Sequence, residues 1–141
     1  MEDNKNVKGG PLKHCSQPTH AKTGFYRDGK CTHGSSDTGS HHVCINIPSA
    51  RNGNFCTVTD QPNWCEDNMP CHDDDHNKDC KIQNWCVCQW AFARYIQEAR
   101  GCDNIGTVNC EATNMKAYEA YKDDPSYIEA FECLKKKCGL K

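Results

Sequence analysis

The stretch QNWCVCQWAFARYIQEARG, residues 83–101, changes its hydrophobic period in the middle. Residues 83–89 alternate, which is the pattern of a strand. Cys86 and Cys88 then face the same side, too close in sequence to bond each other comfortably. Each is expected to reach a different partner, with structural disulfides favoured over metal ligation or a redox role. From 90 to 100 the apolar residues Phe92, Tyr95, Ile96 and Ala99 fall at helical spacing, and Gly101 stands where a C-terminal cap belongs. A strand that runs straight into a helix points to an α+β architecture.

Upstream, residues 40–47 alternate: Val43, Ile45 and Ile47 on one face, His42, Cys44 and Asn46 on the other. That predicts a half-buried strand. Residues 23–27 predict a short strand before the tight-turn pair Asp28-Gly29, and residues 105–110 predict another. Downstream, Thr113 or Asn114 caps a short helix carrying Met115, Tyr118 and Tyr121. Asp124 and Pro125 open a last helix, with Tyr127, Phe131, Leu134 and Cys138 on one side and Gly139 at its end. Lys135, Lys136 and Lys137 complement its dipole. The expected fold is a small antiparallel or mixed sheet with two or three helices toward the C-terminus, disulfide-rich, in one domain over 1–141. Residues 1–22 form an N-terminal loop segment held by Cys15. Residues 48–82 form a long irregular insertion pinned by Cys56, Cys65, Cys71 and Cys80.

Composition explains why staples are needed. Ile, Leu, Val and Phe make up 18 of 141 residues, well under the roughly 20% below which chains drift toward disorder. Net charge is only −2 and there are 13 cysteines, so disulfides are expected to offset the entropy of folding. At least four bridges are expected from Cys15, Cys31, Cys44, Cys56, Cys65, Cys71, Cys80, Cys86, Cys88, Cys102, Cys110, Cys133 and Cys138, with one thiol left over. Cys86 with Cys88 and Cys133 with Cys138 are not expected to pair. The start of the chain lacks a basic, then apolar, leader, and no run is long and apolar enough for a membrane span. Seventeen Lys and Arg against 19 Asp and Glu give no basic stripe for nucleic acid. Cytosolic synthesis followed by oxidation in a particle or compartment with its own thiol oxidase fits these features. A cytoplasmic location is the alternative.

Several motifs together carry a resemblance. They are Asn6-Val-Lys-Gly-Gly-Pro-Leu12 with Cys15, Thr23-Gly-Phe-Tyr-Arg-Asp-Gly29 with Cys31, Gly39-Ser-His-His-Val-Cys44, Trp85-Cys-Val-Cys88 and Glu111-Ala-Thr113. In kind and order they resemble the domain-of-unknown-function family 2237. The resemblance implies a small α+β domain and no known reaction. Asn114 stands where the family pattern has His, and the middle, 48–82, departs from it. Cys15, Cys31, Cys44, Cys86 and Cys88 lie in the matched motifs, and the other eight cysteines are additions.

Motifs for chemistry are fragmentary. No Cys-x2-Cys occurs, which weighs against zinc ribbons and thioredoxin-like centres. Asp73, Asp75, Asn77 and Asp79 alternate as in a calcium loop, but Lys78 replaces the turn glycine and Asn84 the terminal Glu. His72 and His76 offer a zinc pair. The reading preferred for 71–80 is a polar loop closed by disulfides, without calcium. His42 and Cys44 share a strand face as a nucleophile pair would, yet no orienting acid is apparent. Arg27-Asp28-Gly29 is a turn sooner than an anion anchor, and Trp64, Trp85 and Trp90 are expected in the core sooner than in a sugar-stacking platform.

No catalytic residue, metal, cofactor or small-molecule substrate is assigned. The expected role is a non-enzymatic structural and interaction protein, docked on other chains of an assembly through 48–82 or the N-terminal segment. A minor capsid component of a large DNA virus particle suits that role. The alternative is a small metal- or thiol-dependent enzyme using Cys44, Cys86, Cys88 and His41 or His42. A deep pocket lined by these residues and holding a metal or ligand would favour the enzyme.

Overall fold

Strand β1 (Val43–Asn46) and strand β4 (Asn84–Val87) are laid side by side by their matching alternation. They pair antiparallel, with Cys44 opposite Cys86 and Ile45 opposite Trp85. The computed structural model describes residues 4–17, 20–49, 53–71 and 78–140. Between these strands come a one-turn helix α1 (Phe55–Val58), a 3-10 turn (Trp64–Glu66) and a second two-stranded antiparallel sheet, β2 (Asn68–Pro70) with β3 (Asp79–Lys81). Residues 48–82 therefore carry short elements, as well as the Cys56–Cys65 and Cys71–Cys80 bridges. After β4 come α2 (Gln89–Glu98), α3 (Met115–Lys122) and α4 (Ile128–Cys138). The fold is α+β, with antiparallel strand pairs and three helices toward the C-terminus. Among the described residues no helix is long and apolar enough to cross a membrane.

The β1–β4 ribbon is covered on both faces. Val43, Ile45, Trp85 and Val87 belong to the main core with Phe55, Phe92, Tyr95, Tyr121 and Leu134. Cys44 and Cys86 turn the other way, into a second buried cluster with Cys15, Cys31 and Ala112. The strand at 40–47 is thus shorter than its alternation predicts and buried on both faces from Val43 to Ile45, because the N-terminal segment is bonded over its cysteine face through Cys15–Cys44.

Two strand expectations give way to loop geometry. Residues 23–27 form no strand: Gly24 has φ +100 and Arg27 φ +53, and the Arg27 and Gly29 amides bond back to Gly24 and Thr23. Residues 105–110 make only one bridge, Val108 to Ile45. They still lie along the open side of β1, where the Asn46 amide donates to Thr107 O and the Asn109 amide to Cys44 O, each at 2.9 Å. The 3-10 turns Cys102–Asn104 and Cys110–Ala112 cut this segment short. At the end of α2, Arg100 takes the left-handed backbone, and the Gly101 amide reaches Ile96 O at 3.0 Å.

The other helix ends follow their side chains. Asn114 caps α3 by accepting from the Lys116 amide. Asp124 and Pro125 open a 3-10 turn (Pro125–Tyr127) that leads into α4, which Gly139 ends at φ +63. Lys136 at that end pairs with Asp103 at 2.7 Å. Trp85 is core and Trp64 packs against it, but Trp90 is 39% exposed on the outside of α2, against Tyr127.

Candidate functional site

Cysteine pairing divides the chain in two. The motif cysteines join as Cys15–Cys44 and Cys31–Cys86, with Cα separations of 5.8 and 5.4 Å. The other eight bonded cysteines join only one another, as Cys56–Cys65, Cys71–Cys80, Cys102–Cys133 and Cys110–Cys138. Six such bridges mark a chain that matures in an oxidising environment. Cys88 is the thiol left over. It ends the strand and becomes the N-cap of α2. There it lies near enough to the buried Tyr121 hydroxyl to add to that group's raised pKa, which burial chiefly sets. Cys44 and Cys86 are bonded, so neither is a nucleophile in this form.

Cys88 opens on a cavity of about 290 Å³ lined also by His41, Phe55, Trp64, Trp85 and Cys86. A larger, more open hollow of about 530 Å³ runs past Lys8, Asn46, Asn84 and residues 107–111; its lining has no free thiol or imidazole. The smaller cavity has both. His41 is held from behind by Asp37, whose side chain is fully buried: Nδ1 lies 2.7 Å from Oδ1, and the His41 amide donates to Oδ2 at 2.8 Å. A carboxylate only accepts, so Nδ1 carries the hydrogen and Nε2 is left as the basic nitrogen. Gly39 makes room for the ring, since a Cβ there would come within 2.6 Å of Cε1. Asp37 is the orienting acid that the sequence reading lacked; its four-residue spacing from His41 was the available signal.

An aromatic and cationic rim adjoins the cavity. The Arg27 guanidinium sits 5.1 Å from the centre of the Trp85 ring. Phe25 and Tyr26, both more than 40% exposed, meet edge to face at 5.0 Å, and Phe25 lies 5.9 Å from His41. Asp28 is occupied by the Lys30 amide and the Thr32 hydroxyl. Arg27 Nη1 donates to Gly24 O.

His42 does not meet Cys44 as a catalytic pair. It is buried, with Nδ1 2.7 Å from Gln89 Oε1 and Nε2 3.1 Å from His33 Nδ1. The amide oxygen only accepts, so His42 donates from Nδ1 and receives from His33 at Nε2. A proton on Nε2 would set two donors face to face. Burial holds the His42 pKa below its ordinary 6.5, with His33 and His41 acting in the same direction and Gln89 and Asp37 against them. A base with a depressed folded-state pKa stabilises the fold fully above the unfolded value. That stabilisation is lost as pH falls from about 6.5 through the lower folded pKa. We expect denaturant midpoints to decline over that range, and His42→Gln to flatten this part of the profile.

Asn114 is a buried junction. Its Nδ2 donates to Cys31 O and Asn4 Oδ1 while its Oδ1 caps α3. The calcium and zinc readings at His72, Asp73, Asp75, His76 and Asn77 fall outside the described residues. Lys78 and Asp79 are exposed.

No curated protein matches the chain. A family model described as "Uncharacterized protein conserved in bacteria (DUF2237)" matches residues 5–125. With that match over most of its length, including every motif that positions Cys88, His41 and the buried cysteine pairs, the chain belongs to the DUF2237 family.

Proposed function

We propose that the protein is a small thiol-dependent enzyme, with Cys88 as nucleophile and His41, oriented by Asp37, as its base. One observation carries the reading: the chain's leftover thiol and an imidazole backed by a buried carboxylate line the same cavity. In this scheme His41 Nε2 accepts the thiol proton and the Cys88 sulfur adds to a carbonyl carbon of a small substrate, the π electron pair moving onto the carbonyl oxygen as the C–S bond forms. The positive end of α2 favours negative charge beside Cys88, and Trp64 and Trp85 supply the apolar wall. Thiol labelling tests the arrangement. Without reduction, the native protein is expected to take one iodoacetamide per chain, at Cys88, and Cys88→Ser none. His41→Gln and Asp37→Asn are expected to slow labelling by about tenfold or more near neutral pH. Wild-type rates in both variants across pH 6–9 would remove His41 from the scheme.

A second reading keeps the protein as a non-enzymatic structural module of an oxidising assembly, such as a minor capsid component of a large DNA virus particle. The six bridges favour it, because a chain so heavily stapled suits harsh surroundings. On this reading residues 48–82 or the N-terminal segment dock on neighbouring chains over about 1,000 Å² or more. Cross-linking of intact particles, followed by mapping of the linked peptides, separates the two. Links confined to those segments, with thiol labelling indifferent to His41, support docking.

A further inference from the structure

The buried cluster behind the β1–β4 ribbon has a second way to close. We infer that, with both of its bridges open, Cys15, Cys31, Cys44 and Cys86 form a four-thiolate site for zinc. The inference is independent of either functional reading. The sulfurs of Cys15, Cys31 and Cys86 lie within 4.8 Å of one another, and the Cys44 sulfur is bonded to that of Cys15. A tetrahedral ion with Zn–S bonds of about 2.3 Å needs sulfurs about 3.8 Å apart. Side-chain rotation of the opened pairs supplies that spacing if the backbone stays in place.

The backbone has its own reasons to stay in place. The Cys44 amide donates to Thr113 Oγ1 at 3.1 Å and the Cys86 amide to Thr23 Oγ1 at 2.8 Å. The Cys15 amide donates to Gly29 O at 2.7 Å, and Cys31 O accepts from Asn114 Nδ2 at 3.0 Å. Each cysteine is thus anchored by a hydrogen bond that does not depend on its disulfide. The cluster is buried beside Ala112, and four thiolates without water need a cation. Zinc supplies the charge and prefers sulfur. The ligands come from four separate segments, so no short cysteine spacing announces the site.

The chemistry balances with a dithiol as reductant. Two dithiols give four electrons and four protons, becoming two disulfides, while the Cys15–Cys44 and Cys31–Cys86 bonds break to four thiols. One zinc ion then displaces the four thiol protons to solvent.

Purified full-length protein, reduced anaerobically with excess dithiothreitol and freed of it by gel filtration, is titrated with cobalt(II) as a probe for zinc. We expect the intense visible bands of tetrahedral cobalt–thiolate at one ion per chain, and their loss on adding zinc. Cys15→Ser and Cys31→Ser should each lose the tetrathiolate spectrum, whereas the Cys56→Ser/Cys65→Ser variant should keep it. In parallel, alkylation of the reduced zinc-loaded wild type, read by peptide mass, should spare those four cysteines and modify the other nine. This arm serves should a serine variant fail to fold. A spectrum unchanged in Cys31→Ser, no cobalt band in the wild type, or uniform alkylation with zinc present would overturn the inference.

Discussion

Removing the Cys31–Cys86 bridge with the paired substitution Cys31→Ala/Cys86→Ala will lower stability by about 4 kcal/mol. The bridge spans 55 residues, and in the loop-closure account the unfolded chain regains entropy with the logarithm of that span. The same account gives about 2.6 kcal/mol for Cys56→Ala/Cys65→Ala, where the separation is 9. The difference is sharpened by position. Cys31 and Cys86 are buried in the cluster that seats the N-terminal segment on the ribbon, so their loss also leaves space behind β4. Urea unfolding of the two paired variants checks both size and order. Equal losses would show that the native packing around the bridges, not chain closure, sets their contribution.

Tyr95→Ala is expected to destabilise by about 3–5 kcal/mol, in the range of large aromatic truncations in a core. Tyr95 is fully buried on α2, meets Phe55 edge to face at 5.0 Å, and its hydroxyl accepts from the Gly106 amide at 3.2 Å. Tyr95→Phe separates these contributions. It keeps the ring and leaves the buried Gly106 N–H without that acceptor, for about 1–3 kcal/mol. If Tyr95→Phe loses as much as Tyr95→Ala, the hydrogen bond holding the segment alongside β1 dominates. If it loses nothing, water or another acceptor serves Gly106. Calorimetry or chemical denaturation of the two variants distinguishes these outcomes.

The parts legible in the sequence are those in which a local pattern decides. The period change at Trp85–Cys88 does mark β4 running into α2, and Asn114, Asp124 and Gly139 do end or start helices. What could not be read depends on distant partners. The 23–27 segment has strand-like residues, but its Thr23 hydroxyl is taken by β4 and its glycine bends the chain. Residues 105–110 are drawn to β1 yet clipped by 3-10 turns. At the candidate site, His41 and Cys88 were both singled out, while Asp37 became visible as their orienting group only once its carboxylate was found buried under the imidazole. Cys88 as the odd thiol was hidden by parity alone: thirteen cysteines require a remainder without naming it.

The segment 107–109 along β1 has a further consequence for how other proteins can approach. A strand with an open side invites another chain to add itself by main-chain pairing, the usual route to runaway association. Here the outward amide of Asn46 and carbonyl of Cys44 are already spoken for by Thr107 and Asn109, and across the ribbon the Cys86 amide is taken by the Thr23 hydroxyl. The smaller sheet is shielded in the same manner, with the Ala21 and Lys22 amides donating to Lys81 O and Pro70 O. Strand addition is blocked at these positions, so a partner has to be recognised there by side chains. The exposed Phe25–Tyr26 pair beside the cavity mouth offers such side chains.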